Sequence, residues 1–494
     1  MIKAKFFSVL FVLLMVSASV GSASATAISN EVKDSHGIVV DNPTVSKIQQ
    51  AVNGANNNDN ILINGSVNDT GNISCDKILT ITGENCTLNN VHWTCDENMT
   101  FENITFKNCK SDYGGAIYSY STICVKDCSF VNNTVTGISY DDDRGGAIYS
   151  RGSVTVYGSS FVGNVADDAG AIYSDKSVVV TNSCFIGNHA NVEGGAIWSI
   201  DGVSVDDCSF VNNSVSGASV SQCEGGAIYS RCSVTISNSN FTNNFAYDYG
   251  GAIYSQNDVD VVNSLFDGNS VQDNNGGAIY SDANGIKITG SRFIGNHADV
   301  EGGAVWSNNW VNVYDSSFVN NSCSGAKIYQ CGGGAIYSDS EGVKIINSNF
   351  TDNFAYDYGG AVWSDDGVTV ENSLFGNNSV TDNRGGAIYM DDSCDLRVSH
   401  SAFYNNHANE KGGAIYCEGN SAHIYLDSFN SFENNTAKEG KAVFADGYFD
   451  SIKDNWWGTT NPDWDSGLVV EWKCWPWSNI NHHDDSPLDY NPNL

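Results

Sequence analysis

Asn-His-Ala-Asn-Val-Glu-Gly-Gly-Ala-Ile-Trp-Ser, residues 188–199, returns at 296–307 as Asn-His-Ala-Asp-Val-Glu-Gly-Gly-Ala-Val-Trp-Ser. Its second half recurs, with variants, in thirteen copies beginning at Gly114, Gly145, Ala169, Gly194, Gly225, Gly250, Gly276, Gly302, Gly333, Gly359, Gly385, Gly412 and Gly440. Successive copies are 24 to 31 residues apart. Upstream of each block sits a second signature, such as Ser-Phe-Val-Asn-Asn at Ser129, Ser209 and Ser317 or Phe-Ile-Gly-Asn at Phe185 and Phe293. Each unit therefore reads as short strands separated by turns, with no stretch long enough for a helix. A unit of that size buries no core alone. Stacked in register on its neighbours it contributes one layer to a continuous interior, which predicts a solenoid.

The side chains fit stacked coils. The Ile or Val of the block (Ile117, Ile148, Ile172, Ile197, Val305, Val362) is never polar, as an inward column requires. Alternation along a strand then turns the next residue to the opposite face. That residue is Tyr118, Tyr149, Tyr173, Trp198, Tyr229, Tyr254, Tyr280, Trp306, Tyr337, Trp363, Tyr389, Tyr416 and Phe444. An external aromatic stripe is expected, of the kind that stacks on sugar faces; rings that only brace neighbouring coils are the structural alternative. The repeated Asn of Phe-x-x-Asn is read as structural, because stacked turn asparagines form ladders and tolerate left-handed backbone angles.

A longer period is superposed on the short one. Residues 244–255 return at 353–364, and the offset of about 108 residues corresponds to four coils, the mark of a duplicated block. Inserted loops at 135–143, 215–222 and 323–330 share one place in the coil and differ in sequence, which suits recognition.

Composition bounds the function. With 50 Gly and only 5 Pro the chain does not resemble a helical domain. Its 57 acids against 23 Lys and Arg give a formal charge of −34, which argues against nucleic acid as a partner. Lys3 and Lys5 precede an apolar run over residues 6–16 and Ala23-Ser24-Ala25, the pattern of a cleaved secretory leader. No later stretch is long enough for a membrane span. The 15 cysteines are irregularly placed; Cys323 and Cys331 bracket an insertion and are candidates to staple it, and Cys75, Cys86, Cys95 and Cys109 to stiffen the N-terminal coils. Asn-x-Ser/Thr acceptor sites are abundant, Asn132, Asn212, Asn320, Asn377 and Asn434 among them; those on the ladder are expected to be inaccessible.

The Gly-Gly-Ala-Ile and Phe-x-x-Asn repeats resemble the polymorphic outer-membrane protein repeat, and the wider pattern resembles the adhesin-like β-helix proteins of methanogenic archaea. Residues 44–64, with Ile48-Gln49-Gln50-Ala51-Val52 ahead of Asn60-Ile61-Leu62-Ile63, are similar to the capping helix and first strand of the pectate-lyase-like superfamily. Leu-Thr-Ile-Thr-Gly-Glu-Asn-Cys-Thr-Leu at 79–88 looks like the first full coil. Asp-Asn-Trp-Trp-Gly-Thr-Thr at 454–460 is similar to the element that closes such helices. The resemblance implies an all-β right-handed parallel β-helix solenoid of about 13 regular coils, irregular N-terminal coils and a short capping helix. The expected organisation is a signal peptide at 1–25, a linker at 26–43, a cap and irregular coils at 44–110, regular repeats at 111–446, a C-terminal cap at 447–480 and a tail at 481–494. It further implies a secreted, cell-surface-associated adhesin binding glycans or proteins of host or neighbouring cells.

The same scaffold carries polysaccharide lyases and glycoside hydrolases, and a structural coat component is a third class. Hydrolysis needs two or three carboxylates within about 5 to 10 Å. The acid pairs Asp142–Asp143, Asp167–Asp168, Asp365–Asp366 and Asp391–Asp392 fall at turns, where Asp serves the backbone. Gly-His-Gly, Arg-x-Lys and Arg-x-Pro motifs are absent, so no catalytic residues are assigned. His189, His297 and His407 are equivalent, but four coils at roughly 4.8 Å each keep them from sharing one ion. No cofactor is expected, and weak Ca²⁺ binding at acidic turns is left unassigned.

Overall fold

A computed structural model describes residues 37–135, 143–217, 222–325, 331–391, 395–419, 422–459 and 467–471. The expected leader, the tail and half or more of each inserted loop lie outside the described residues. From Ile38 the chain winds as a solenoid of short parallel strands, laid into sheets of 29, 11 and 16 strands. One coil shows the pattern: Ile148–Ser150 lies in the 16-stranded sheet, Val154–Tyr157 and Ser160–Val162 in the 29-stranded sheet, and Val165–Asp168 in the 11-stranded sheet. Like residues lie over like: Ile148, Tyr149 and Ser150 pair with Ile172, Tyr173 and Ser174. The long strand Met99–Lys107 pairs with both Ile123–Lys126 and Ser129–Val131, so the 29-stranded sheet forks there into two ladders.

The sharp corners set the composition. Between the two ladders one residue per coil is left-handed, as at Gly158 (φ 58°), Asn182 (φ 48°) and Asp207 (φ 52°). Only Gly, Asn and Asp reach this region at small cost, which accounts for their abundance. The Gly-Gly pair has two separate causes. Gly225 has φ +67°, while a Cβ on Gly226 would lie 2.1 Å from the carbonyl oxygen of Gly251 one coil on.

Three internal columns hold the coils together. The Ile/Val column and the alternate valines of the next strand, Val154 and Val156, are at most 1% exposed. A phenylalanine column includes Phe161, Phe185, Phe210 and Phe241, whose rings stack 4.7 Å apart with planes within 2°. Beside it runs a buried asparagine ladder. The Nδ2 of Asn213 donates to Asn244 Oδ1 at 3.0 Å and to the Phe185 carbonyl at 3.0 Å, and the Asn213 backbone N–H donates to the same Oδ1 at 3.0 Å. Every donor of Asn213 is thereby satisfied, as burial demands. The acceptor-site asparagines Asn132, Asn212, Asn320, Asn377 and Asn434 are not the ladder residues. They precede them, are left-handed and stand exposed, so the inaccessibility expected of ladder positions does not extend to them.

The ends are closed differently. The helix Val45–Gly54 is capped by Thr44, whose side chain accepts from the Lys47 backbone N–H, and it buries Ile48 and Val52. Segment 26–43, expected as linker, already contains the strand Ile38–Asp41, paired with Ile61–Asn64. At the other end Trp457 stacks on Phe432, with centroids 4.9 Å apart, and so covers the phenylalanine column.

Candidate functional site

The aromatics that follow the Ile/Val column form a cluster of their own, separate from the core. They do face outward from the interior, but they are not open: the twelve from Tyr118 to Tyr416 are 0 to 8% exposed. In the central coils the rings stack on each other, as Tyr173 on Trp198 (4.2 Å, 6°), Tyr280 on Trp306 (4.3 Å, 4°) and Tyr337 on Trp363 (4.0 Å, 2°). A strand spacing near 4.8 Å brings ring faces into contact, so a stripe offering those faces to sugars is corrected to one whose faces are occupied by its neighbours.

Two polar columns cover the ring edges. One is the residue just before each Gly pair: Arg144, Asp168, Glu193, Glu224 and Tyr249 succeed one another there, and further on Glu301, Gly332, Tyr358, Arg384, Lys411 and Glu439. Indole N–H groups point to this wall: Trp198 Nε1 donates to Glu193 at 2.6 Å and Trp306 Nε1 to Glu301 at 3.0 Å. The second wall is the residue two after each aromatic. Tyrosine hydroxyls reach it, Tyr149 donating to Asp175 at 3.3 Å, Tyr416 to Asp446 at 2.8 Å, and Tyr389 to Glu418. The stripe is thus the floor of a groove with carboxylates along both sides, interrupted by Arg144, Arg231, Arg384 and Lys411, whose cations stand 4.2 to 5.0 Å over its rings.

Burial alters the wall chemistry. Asp168 is pushed up to about 7 by desolvation, reinforced by the neighbouring Glu193 carboxylate. Glu224 is pushed up to about 8 by the same causes, and Glu301 to about 7 by burial, offset in part by the Trp306 N–H. Asp168 is therefore not the solvated turn acid that its place in the Asp167–Asp168 pair suggests. Glu193, Glu224 and Glu301 escaped the reading of the sequence. Their signal was available, for each stands immediately before a Gly pair.

The wall has one gap. Gly332 alone lacks a side chain in this column among the described residues, and a cavity of about 210 Å³ opens there, lined by Gly332, Tyr337, Tyr358, Trp363, Tyr389, Asp391 and Glu418.

The other candidates are placed elsewhere. His189, His297 and His407 each pair through Nδ1 with a hydroxyl one coil on, Ser214, Ser322 and Thr436, at 2.8 to 3.0 Å. No three His, Cys, Asp or Glu gather to hold a metal among the described residues. The cysteines among these residues are thiols; Cys75 and Cys95 lie in register, and Cys323 and Cys331 pack together at the root of one inserted loop. A hydrogen bond between their side chains lowers the Cys331 thiol, whereas burial raises Cys323. The three loops do share one root, following Thr134–Val135, Ser214–Val215 and Ser322–Cys323 of the 11-stranded sheet.

Residues 196–375 match the right handed beta helix region family. The chain is a right-handed parallel β-helix. Three further stretches of the β-helix, 127–151, 182–200 and 400–418, match the Chlamydia polymorphic membrane protein repeat, and repeats of this type suggest a surface-type protein. Among the described residues no helix is long and apolar enough to cross a membrane. No curated protein matches the chain. A solved structure titled "Structure of PL6 family alginate lyase AlyGC" is similar at 9% identity and a TM-score of 0.23, covering 85% of this chain and 93% of its own.

Proposed function

We propose that this β-helix is a secreted, cell-surface-associated adhesin-like protein that binds glycans of host or neighbouring cells along the walled groove. The observation that carries the reading is the aromatic column held outside the core with carboxylates on both flanks. The wall carboxylates accept hydrogen bonds from sugar hydroxyls, and the stacked aromatic floor gives them a rigid apolar backing, the combination that polyhydroxylated ligands need. The charge of −34 disfavours nucleic acid, which requires clustered cations. Changing Trp198, Trp306 and Trp363 together to Ala is expected to abolish binding on a glycan array while the far-ultraviolet circular dichroism of the β-helix is kept. Binding that survives in the folded variant rejects the groove.

One observation favours a second reading, a glycoside hydrolase. Asp168, Glu193 and Glu224 stand on successive coils, so three carboxyl groups that burial makes harder to ionise lie side by side at about the spacing such chemistry uses. Release of reducing ends from a polysaccharide panel, lost in Glu224→Gln, would establish it.

A further inference from the structure

The gap at Gly332 differs from the rest of the groove in three ways. The duplicated block gives the first comparison: Cys331-Gly332-Gly333 stands 108 residues after Cys223-Glu224-Gly225, so the related coil carries a glutamate where this one has glycine. Its effect is direct, since even a Cβ at Gly332 would lie 3.2 Å from Trp363 Cδ1 and 3.4 Å from Tyr337 Cε2. The second difference is Trp363 itself, which stands where the sister stretch 244–255 has Tyr254. Trp198 and Trp306 spend their indole N–H on a wall glutamate of their own coil, but the coil of Trp363 carries Tyr358 there, and no protein acceptor faces Trp363 Nε1 among the described residues. The third is charge, for the charged groups lining the cavity are Asp391 and Glu418. Arg384 donates to the Tyr416 hydroxyl at 2.8 Å and pairs with Glu418 at 3.6 Å, which leaves the carboxylates lining the cavity in excess of the cation beside them.

A cavity of about 210 Å³ is smaller than the roughly 300 Å³ at which sites for larger ligands begin, so it holds a single ring. A ligand here meets one indole donor, carboxylate acceptors and aromatic edges. We propose, resting on the glycan reading above, that the Gly332 notch is the principal saccharide subsite and that it takes an amino sugar with its amine protonated. Hydroxyls accept from Trp363 and donate to Glu418, and the ammonium pairs with Asp391. A uronate is repelled by them.

Calorimetric titration of the whole chain at pH 6 with oligomers of glucosamine, N-acetylglucosamine and galacturonate tests this. Glucosamine oligomers are expected to bind at least about tenfold more tightly than the N-acetylated ones, the size of one charge-assisted hydrogen bond, and galacturonate not at all. Gly332→Glu, which restores the residue of the sister coil, is expected to weaken binding at least about tenfold with the far-ultraviolet circular dichroism of the β-helix kept, and Trp363→Phe to weaken it by a similar factor. Asp391→Asn is expected to erase the preference for the free amine. Galacturonate binding as tightly as glucosamine overturns the charge assignment. Saccharide binding indifferent to both Gly332→Glu and Trp363→Phe overturns the subsite and leaves the groove standing; absence of binding to any saccharide overturns both.

Discussion

Ala169 stands where the other coils place the first glycine of the pair, and its φ of 56° is left-handed in a fully buried position. A β-carbon costs roughly 1 to 2 kcal/mol there, so Ala169→Gly is expected to raise stability by about 1 kcal/mol in a urea titration. An unchanged or lower midpoint would mean that the corner carries no strain. The asparagine ladder predicts the opposite sign. Asn244→Ala strips the acceptor from both the backbone N–H and the Nδ2 of Asn213, and each orphaned buried donor costs about 1 to 3 kcal/mol. A loss of about 3 kcal/mol or more is expected, and one below about 1 kcal/mol would contradict the ladder. The corners were legible in outline, because left-handed positions favour Gly, Asn and Asp. Which asparagine of each Asn-Asn pair turns inward was not legible, since it depends on the side of the corner that faces the core.

The walls belong to the scale of the elements. The sequence locates the aromatics on the outer face of their strands, because alternation is a local rule. Their burial escaped it: cover comes from two columns that hold Arg, Asp, Glu, Tyr and Gly in turn, a set with no hydrophobic pattern to read. These columns make the fold sensitive to pH. The carboxyls of Asp168, Glu224 and Glu301 hold their protons up to about 7, 8 and 7, against ordinary values near 4 in an unfolded chain. The folded state therefore keeps protons that the unfolded state releases, and stability falls as pH rises from about 4 to about 8. The Tm is expected to be higher at pH 5 than at pH 8, and Glu224→Gln to raise the Tm at pH 8 and flatten the profile. A Tm that climbs between these pH values would contradict the buried wall.

For the solenoid as a whole, stability is a sum of contacts between neighbouring coils, and each coil repeats the same columns. The repeat spacing made the architecture legible before any single strand was, because only stacking gives a unit of that length a core. The caps were less legible. Ile38–Asp41 carries no repeat signature and becomes a strand by pairing with Ile61–Asn64. The central claim, that distance along the axis counts coils and not residues, is open to direct measurement by electron–electron double resonance. Nitroxide amino acids would be introduced genetically, leaving the native thiols unlabelled, at Thr155 with Lys287 and at Thr155 with Lys344. Thr155 and Lys287 are separated by five in-register steps, through Val179, Ser204, Thr235 and Asp260, and Asn312 leads on to Lys344 as the seventh. At roughly 4.8 Å per step the backbone separations are about 24 Å and about 34 Å, so the second pair should lie about 10 Å further apart than the first. Equal distances for the two pairs, or a second distance shorter than the first, would contradict the stacked coil.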